Sequence, residues 1–214
     1  MGEFSIRSEK IIIWNDRKTV QKVWRLKPDV LLYSASELEA LLSGKLELLE
    51  IFDGKGKKLG VASRKASHKL HLIDKVAHVF VFNSKGELFL QKRAMNKDVF
   101  PGYYAPSASG HFELNETPLQ AAKRETKEEM GINAEKIKHL GCFKCVTPEM
   151  GEWIHVFMLV TNEPIKINES EISEAKFFSI KELSRIDKKV LIPALKKELK
   201  LYLKKMLKEL SKTS

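Results

Sequence analysis

The stretch from Gly110 to Ile132, GHFELNETPLQAAKRETKEEMGI, limits what this chain can fold into more than any other. Thr117-Pro118 joins a residue type favoured at a helix N-cap to the one favoured at the first helical position, so the spacing predicts a helix opening near Pro118. Leu119, Ala121, Ala122 and Met130 continue it, and Gly131 is the residue type that commonly ends a helix in the left-handed conformation. On such a helix Glu125, Glu128 and Glu129 stand at i, i+3 and i+4, so their side chains leave from one face. Three like charges that close repel one another and raise each other's pKa. A bound hard cation such as Mg²⁺ or Mn²⁺ is the economical reason for keeping them together. Arg124 is placed to pair with Glu116 and so pin the preceding loop to the helix. A solvated acidic face is the commoner use of a charge run, but Lys123 and Lys127 interrupt this one and glycines stand at both exits.

Gly110, Glu116, Arg124, Glu125, Glu128, Glu129, Gly131 and Ile132 together reproduce the spacing Gly-x5-Glu-x7-Arg-Glu-U-x-Glu-Glu-x-Gly-U, with U aliphatic. In this the segment resembles the Nudix box. Thr126 departs from the pattern, and a threonine at an aliphatic position bears on core packing more than on metal binding.

The length of 214 residues suits one domain or one domain with an extension. Residues 1–46 read as an N-terminal extension of unassigned role and 47–214 as the catalytic domain. In the extension Lys10–Trp14 and Thr19–Leu26 are short strand candidates around an Asn15-Asp16 turn, and Ser36-x-x-Glu39 is a capping box. The extension offers a surface for packing on the core or for a homodimer. From Leu48 the segments LLEIFD and LGVAS flank the turn GKGKK as a hairpin, and a connector with Arg64, His68 and His71 follows. Val76–Phe82 and Glu87–Gln91 are strands, after which KRAMNKDVFPGYYAPSASGH reads as a long functional loop. Ile137–Val146, Trp153–Thr161 and Glu174–Phe178 are further strands, and Ile180–Ser184 opens a helix. Lys188–Leu210 closes the chain with an amphipathic, lysine-rich helix, expected to fold on its own domain in preference to a membrane surface. Strands alternating with helices imply an α/β sandwich, a mixed sheet between helices with the glutamate helix on one face.

Lys and Arg exceed Asp and Glu by 38 − 28, a net +10, which favours an anionic partner such as a phosphorylated small molecule, with nucleic acid the less favoured choice. No apolar run approaches a membrane span and the N-terminus lacks a signal-peptide layout, so a cytoplasmic home is expected. Cys142 and Cys145 have no second pair to complete a zinc site and read as structural thiols.

The run HVFVFNSKGELFLQKRAMNKDVFPGYYAPSASGHFELNE widens the resemblance, over roughly residues 48–185, to the Nudix branch related to type I isopentenyl-diphosphate isomerase. That resemblance implies a Nudix-type α/β/α sandwich. It also implies that Arg93 and Lys97 hold a diphosphate, with Arg64 helping, and that His111 touches substrate or metal. The branch's isomerases use a cysteine just before the Gly-His of the box loop, where this chain has Ser109, a far weaker acid. Of their metal ligands His68 and His111 have counterparts and Glu152 matches one glutamate, while Asp74 and Met150 stand where a histidine and a glutamate are expected. The box acids, in contrast, are complete. These departures point to hydrolysis of an organic diphosphate, with Glu116, Glu125, Glu128 and Glu129 as metal ligands. Glu128, Glu129, Arg124 and Glu152 are then the catalytic candidates. Isoprenoid diphosphate isomerisation and non-catalytic phosphate or RNA binding are the alternatives.

Overall fold

The computed structural model describes residues 11–13, 31–33, 37, 39–40 and 43–212. Both Thr19–Leu26 and the Ser36 capping box lie outside them. The chain forms two compact units, one of residues up to Lys75 together with Val146–Trp153, the other of Val76–Cys145 and Ile154 onward.

In the first unit, β1 (Ile11–Ile13) runs parallel to β2 (Leu31–Tyr33), and β2 runs parallel to β4 (Lys58–Ser63). The expected hairpin is β3 (Leu48–Phe52) against β4, antiparallel, with Leu49 opposite Ala62. The segment expected as a connector is instead a helix, α1 (Arg64–Leu70). Its N-cap Ser63 accepts from the Ala66 N–H at 3.1 Å, and His71 closes it in the left-handed region. This helix buries Ala66 and Leu70 with Leu49, Ile51, Ala62 and Leu72 as a small apolar core.

The second unit is built on β5 (Ile73–Phe82), most of which it contains. β5 pairs antiparallel with β6 (Leu88–Arg93) and β8 (Ala108–His111), and β10 (Gly151–Val160) and β9 (Lys138–Val146) follow in order. β11 (Ile172–Phe178) and the short β7 (Tyr104–Ala105) flank β6, and the stretch after β6 expected as a long loop contains both β7 and β8. Side chains of a strand alternate between faces, and β5 shows what that alternation serves. Val76, Phe80 and Phe82 enter one core with Ala194, Leu195 and Met206 of α4 (Pro193–Leu210), whereas Ala77, Val79 and Val81 enter another with Ala121, Ala122 and Met130 of α2 (Pro118–Met130). The sheet of this unit is therefore sandwiched between helices, as expected. His78, on the α4 side of β5, is buried with its Nδ1 2.8 Å from Glu198 Oε1 of α4.

The closing helix is shorter than its lysine-leucine pattern suggests. Lys188–Val190 is a 3₁₀ turn, Leu191 is extended, and the Ile192 N–H donates to the Tyr104 carbonyl at 3.0 Å before Pro193 opens α4. Proline disfavours a helical residue before it, which accounts for the break. The four-residue α3 (Ile180–Leu183) precedes it. Cys142 and Cys145 both lie on β9; a spacing of three turns them to opposite faces, one exposed and one buried. Among the described residues no helix is long and apolar enough to cross a membrane.

Candidate active site

The helix predicted from Pro118 to Met130 occupies those residues, and its ends are satisfied locally. Thr117 Oγ1 accepts from the Gln120 N–H and Gln120 Oε1 accepts from the Thr117 N–H at 2.9 Å, a reciprocal cap. Gly131 sits at φ 73° and donates its N–H to the Lys127 carbonyl at 3.0 Å. Thr126, the residue that departs from the box pattern, is fully buried; its hydroxyl donates to the Ala122 carbonyl one turn back at 2.6 Å, which leaves its methyl to the core.

Arg124 makes the loop and helix one object. Its Nε and Nη2 donate to the two carboxylate oxygens of Glu116 at 2.9 and 2.8 Å, a planar two-bond pairing, and Nη2 also donates to the His111 carbonyl at 2.9 Å. Nη1 reaches Glu125 at 2.6 Å and Glu128 at 3.2 Å, and Glu113 lies 3.8 Å away, so four carboxylates share this guanidinium. The hydrogen bonds it donates to Glu116 make this guanidinium hold its proton far more firmly than a free arginine does. Asn115, at φ 64°, turns the loop so that Glu116 also accepts from the Glu113 N–H at 2.8 Å.

Glu125, Glu128 and Glu129 leave the helix on one side as expected, but their surroundings differ. Glu128 is exposed, with 57% of its side-chain surface accessible, while Glu125 and Glu129 are buried. Glu125 packs so closely over Gly110 that a Cβ there would overlap its carboxylate. Burial pushes Glu125 up to about 7 against the opposing pull of Arg124. Glu129 accepts from Gln91 Nε2 at 2.8 Å and from the Ser109 N–H at 3.2 Å; burial, then the charge of Glu125, pushes it up to about 8. Two buried carboxyls crowded by further acids, with one guanidinium shared among them, form an oxygen-donor set suited to a hard divalent ion.

On the other side, Arg93 closes β6. Its Nε donates to the Val99 carbonyl at 2.9 Å, and its backbone bonds to Gly102 and Tyr103 fold the loop 94–103 back on itself. Lys97, on that loop, forms an ion pair with Glu171. Phe100 and Tyr103 stand 5.7 Å apart between ring centroids at the loop tip, where Met95 is exposed.

Residues 72–200 match the family model of the NUDIX domain. The chain belongs to the Nudix family. It is an enzyme of the Nudix hydrolase type, similar to an uncharacterized Nudix hydrolase of Pseudomonas aeruginosa at 34% identity over 131 residues, 61% of this chain and 78% of the relative. It is also similar to an isopentenyl-diphosphate Delta-isomerase of Streptomyces avermitilis, 31% identical over 147 residues, 64% of this chain and 73% of that one. Among solved structures, a protein of Deinococcus radiodurans aligns with TM-score 0.56 at 22% identity, covering 65% of this chain and 88% of its own. The MutT protein of Methanosarcina mazei aligns with TM-score 0.52 at 20% identity, covering 66% and 94%. At those identities the likeness shows the fold.

The Nudix helix thus brings Arg124, Glu125, Glu128, Glu129 and, through the loop, Glu116 together in the second unit. Arg93, Lys97 and the His111 backbone belong to that unit too. Arg64 lies in the first, with Nη1 3.3 Å from Glu47. Glu152 is also there, buried near Asp74; burial, then the charge of Glu152, raises the pKa of Asp74 well above its ordinary value. Trp153 donates its indole N–H to the Asp53 carbonyl at 3.1 Å in the same unit. Sequence reasoning missed Glu171, which lies in no motif and is recognised only because the fold sets it against Lys97.

Proposed function

We propose that this Nudix enzyme is a Mg²⁺- or Mn²⁺-dependent pyrophosphohydrolase that cuts a diphosphate linkage in a nucleoside diphosphate derivative or another organic diphosphate. The observation that carries the reading is the buried pair Glu125 and Glu129, set against Gly110 and the Ser109 N–H beside an overcommitted arginine. Glu125, Glu129 and the more exposed Glu128 would hold the ion, and Glu116, with both oxygens on Arg124, fixes the helix to its loop. When bound, the ion neutralises phosphate charge and lowers the pKa of a coordinated water.

The other steps fall to the chain's own side chains. Arg93 and Lys97 hold the phosphoryl oxygens and stabilise the charge that develops on them. Glu128, accessible and at the edge of the cluster, orients and deprotonates the attacking water. Arg124 keeps three glutamates in register through the reaction. Phe100, Tyr103 and Met95 form the rim against which the organic part of the substrate rests. No step is routed through Arg64 or Glu152.

A screen of diphosphate compounds with Mg²⁺ or Mn²⁺ tests the proposal. Glu128→Gln and Glu129→Gln should each remove metal-dependent turnover by about 100-fold or more while the far-ultraviolet dichroism stays that of the wild type. Undiminished turnover in either variant would put the chemistry elsewhere. Similarity to proteins named isopentenyl-diphosphate isomerases supports a second reading, double-bond isomerisation. Against it stands Ser109 at the position of the proton-donating cysteine. Alkene isomerisation by the purified protein, abolished in Ser109→Ala, would make that reading the better one.

A further inference from the structure

We propose that Glu171 is the resting counter-ion of Lys97, that a substrate diphosphate displaces it, and that this exchange couples diphosphate binding to metal binding at the Nudix helix. The inference rests on the pyrophosphohydrolase reading and deepens it at the same site. Its basis is where the segment before β11 is fastened. The Lys166 N–H donates to the Met130 carbonyl at 3.0 Å and the Asn168 N–H to the Glu129 carbonyl at 3.0 Å, so this segment satisfies the C-terminal end of α2. On its far side the Ala94 N–H donates to the Glu171 carbonyl at 3.0 Å, and Ile172 pairs with Arg93 in the β11–β6 register. Backbone bonds therefore hold Glu171 between the helix that carries Glu129 and the loop that carries Lys97.

The carboxylate pairs with the Lys97 ammonium, and the Glu171 N–H donates at 3.0 Å to the carbonyl of Asn168, the residue whose own N–H is fixed to the Glu129 carbonyl. Lys97 is the more enclosed partner, its side chain 19% exposed against 37% for Glu171. A lysine held by a carboxylate cannot give its full charge to a phosphate. A diphosphate, with several negative charges and more acceptor oxygens, outcompetes one carboxylate for the ammonium. Once Lys97 turns to the phosphate, Glu171 is left without its cation, and its uncompensated charge strengthens the negative potential at Glu129 where the divalent ion binds. Linkage makes the effect reciprocal, so the ion favours the diphosphate-bound arrangement to the same degree. Glu171 in this scheme is a positioning residue, acting through Lys97 and through the field at Glu129.

Titration calorimetry with methylenediphosphonate, a diphosphate that cannot be hydrolysed, tests this with and without Mn²⁺. Glu171→Gln should bind the probe about 2- to 5-fold more tightly than wild type in the absence of metal, since Lys97 is no longer held back. The enhancement by Mn²⁺ should shrink by a similar factor. Lys97→Met should abolish the metal-free gain when combined with Glu171→Gln. Metal-free binding that is unchanged or weaker in Glu171→Gln overturns the proposal, as does an undiminished enhancement by Mn²⁺ or a gain that survives Lys97→Met. Failure of the hydrolase reading would show separately, as hydrolysis surviving Glu129→Gln, a measurement these binding data do not touch.

Discussion

Raising the pH from about 6 to about 8 should tighten Mn²⁺ binding at the Nudix helix by about 500-fold, because the ion must displace protons that the ion-free site holds. Glu125, pushed up to about 7 by burial, and Glu129, pushed up to about 8 by burial and by Glu125, are the groups that hold them. At about pH 6 roughly nine-tenths of the Glu125 carboxyls and nearly all of the Glu129 carboxyls carry a proton; by about pH 8 those fractions fall to roughly a tenth and a half. Removing the competition is worth about tenfold at the first group and about fiftyfold at the second, together about 4 kcal/mol. The same shifts act on the ion-free fold with a definite sign. Both folded-state values lie above the ordinary 4.5, so the stabilisation they bring is complete below that value and is lost as the pH rises through about 7 and then about 8. Mn²⁺ should therefore raise the unfolding temperature more at about pH 8 than at about pH 6. The assay is a Mn²⁺ titration followed by the paramagnetic resonance of the free ion across this range, with proton release recorded in weak buffer. An affinity that changes by less than about tenfold, or binding without proton release, would refute the reasoning, since the two carboxyls would then be ionised beforehand or would not be ligands.

Gly110→Ala should weaken Mn²⁺ binding by about tenfold or more without unfolding the protein, because the new methyl group must push the Glu125 carboxylate out of its place. Wild-type affinity in the same titration, with an unchanged melting temperature, would show that Glu125 has no need of that position. Thr126→Val should change stability by less than about 1 kcal/mol, since the shape is kept and the lost hydroxyl bond to the Ala122 carbonyl is a local one. Urea unfolding measures it, and a loss above about 2 kcal/mol would mean that the hydroxyl supports the helix.

Much of the box was legible because its determinants are local. Thr117, Pro118 and Gly131 set the ends of α2 through their own backbone preferences, and the placement of Arg124 against Glu116 follows from a fixed spacing across one loop. The hairpin of β3 and β4 was legible for the same reason. Where the reading differed, a longer-range partner decided. The segment around His68 became a helix because Ser63 caps it and an apolar core receives Ala66 and Leu70. The loop after β6 acquired β7 and β8 because β6 and β5 offered open edges to pair with.

The amino-acid order alone thus determined the acidic helix, its caps and its membership of the Nudix family, since periodicity and capping act over a few residues. Tertiary structure decided which glutamates lose their water and that Glu171 meets Lys97. Burial and charge pairing depend on what arrives from distant parts of the chain, and a one-dimensional pattern carries no record of those arrivals.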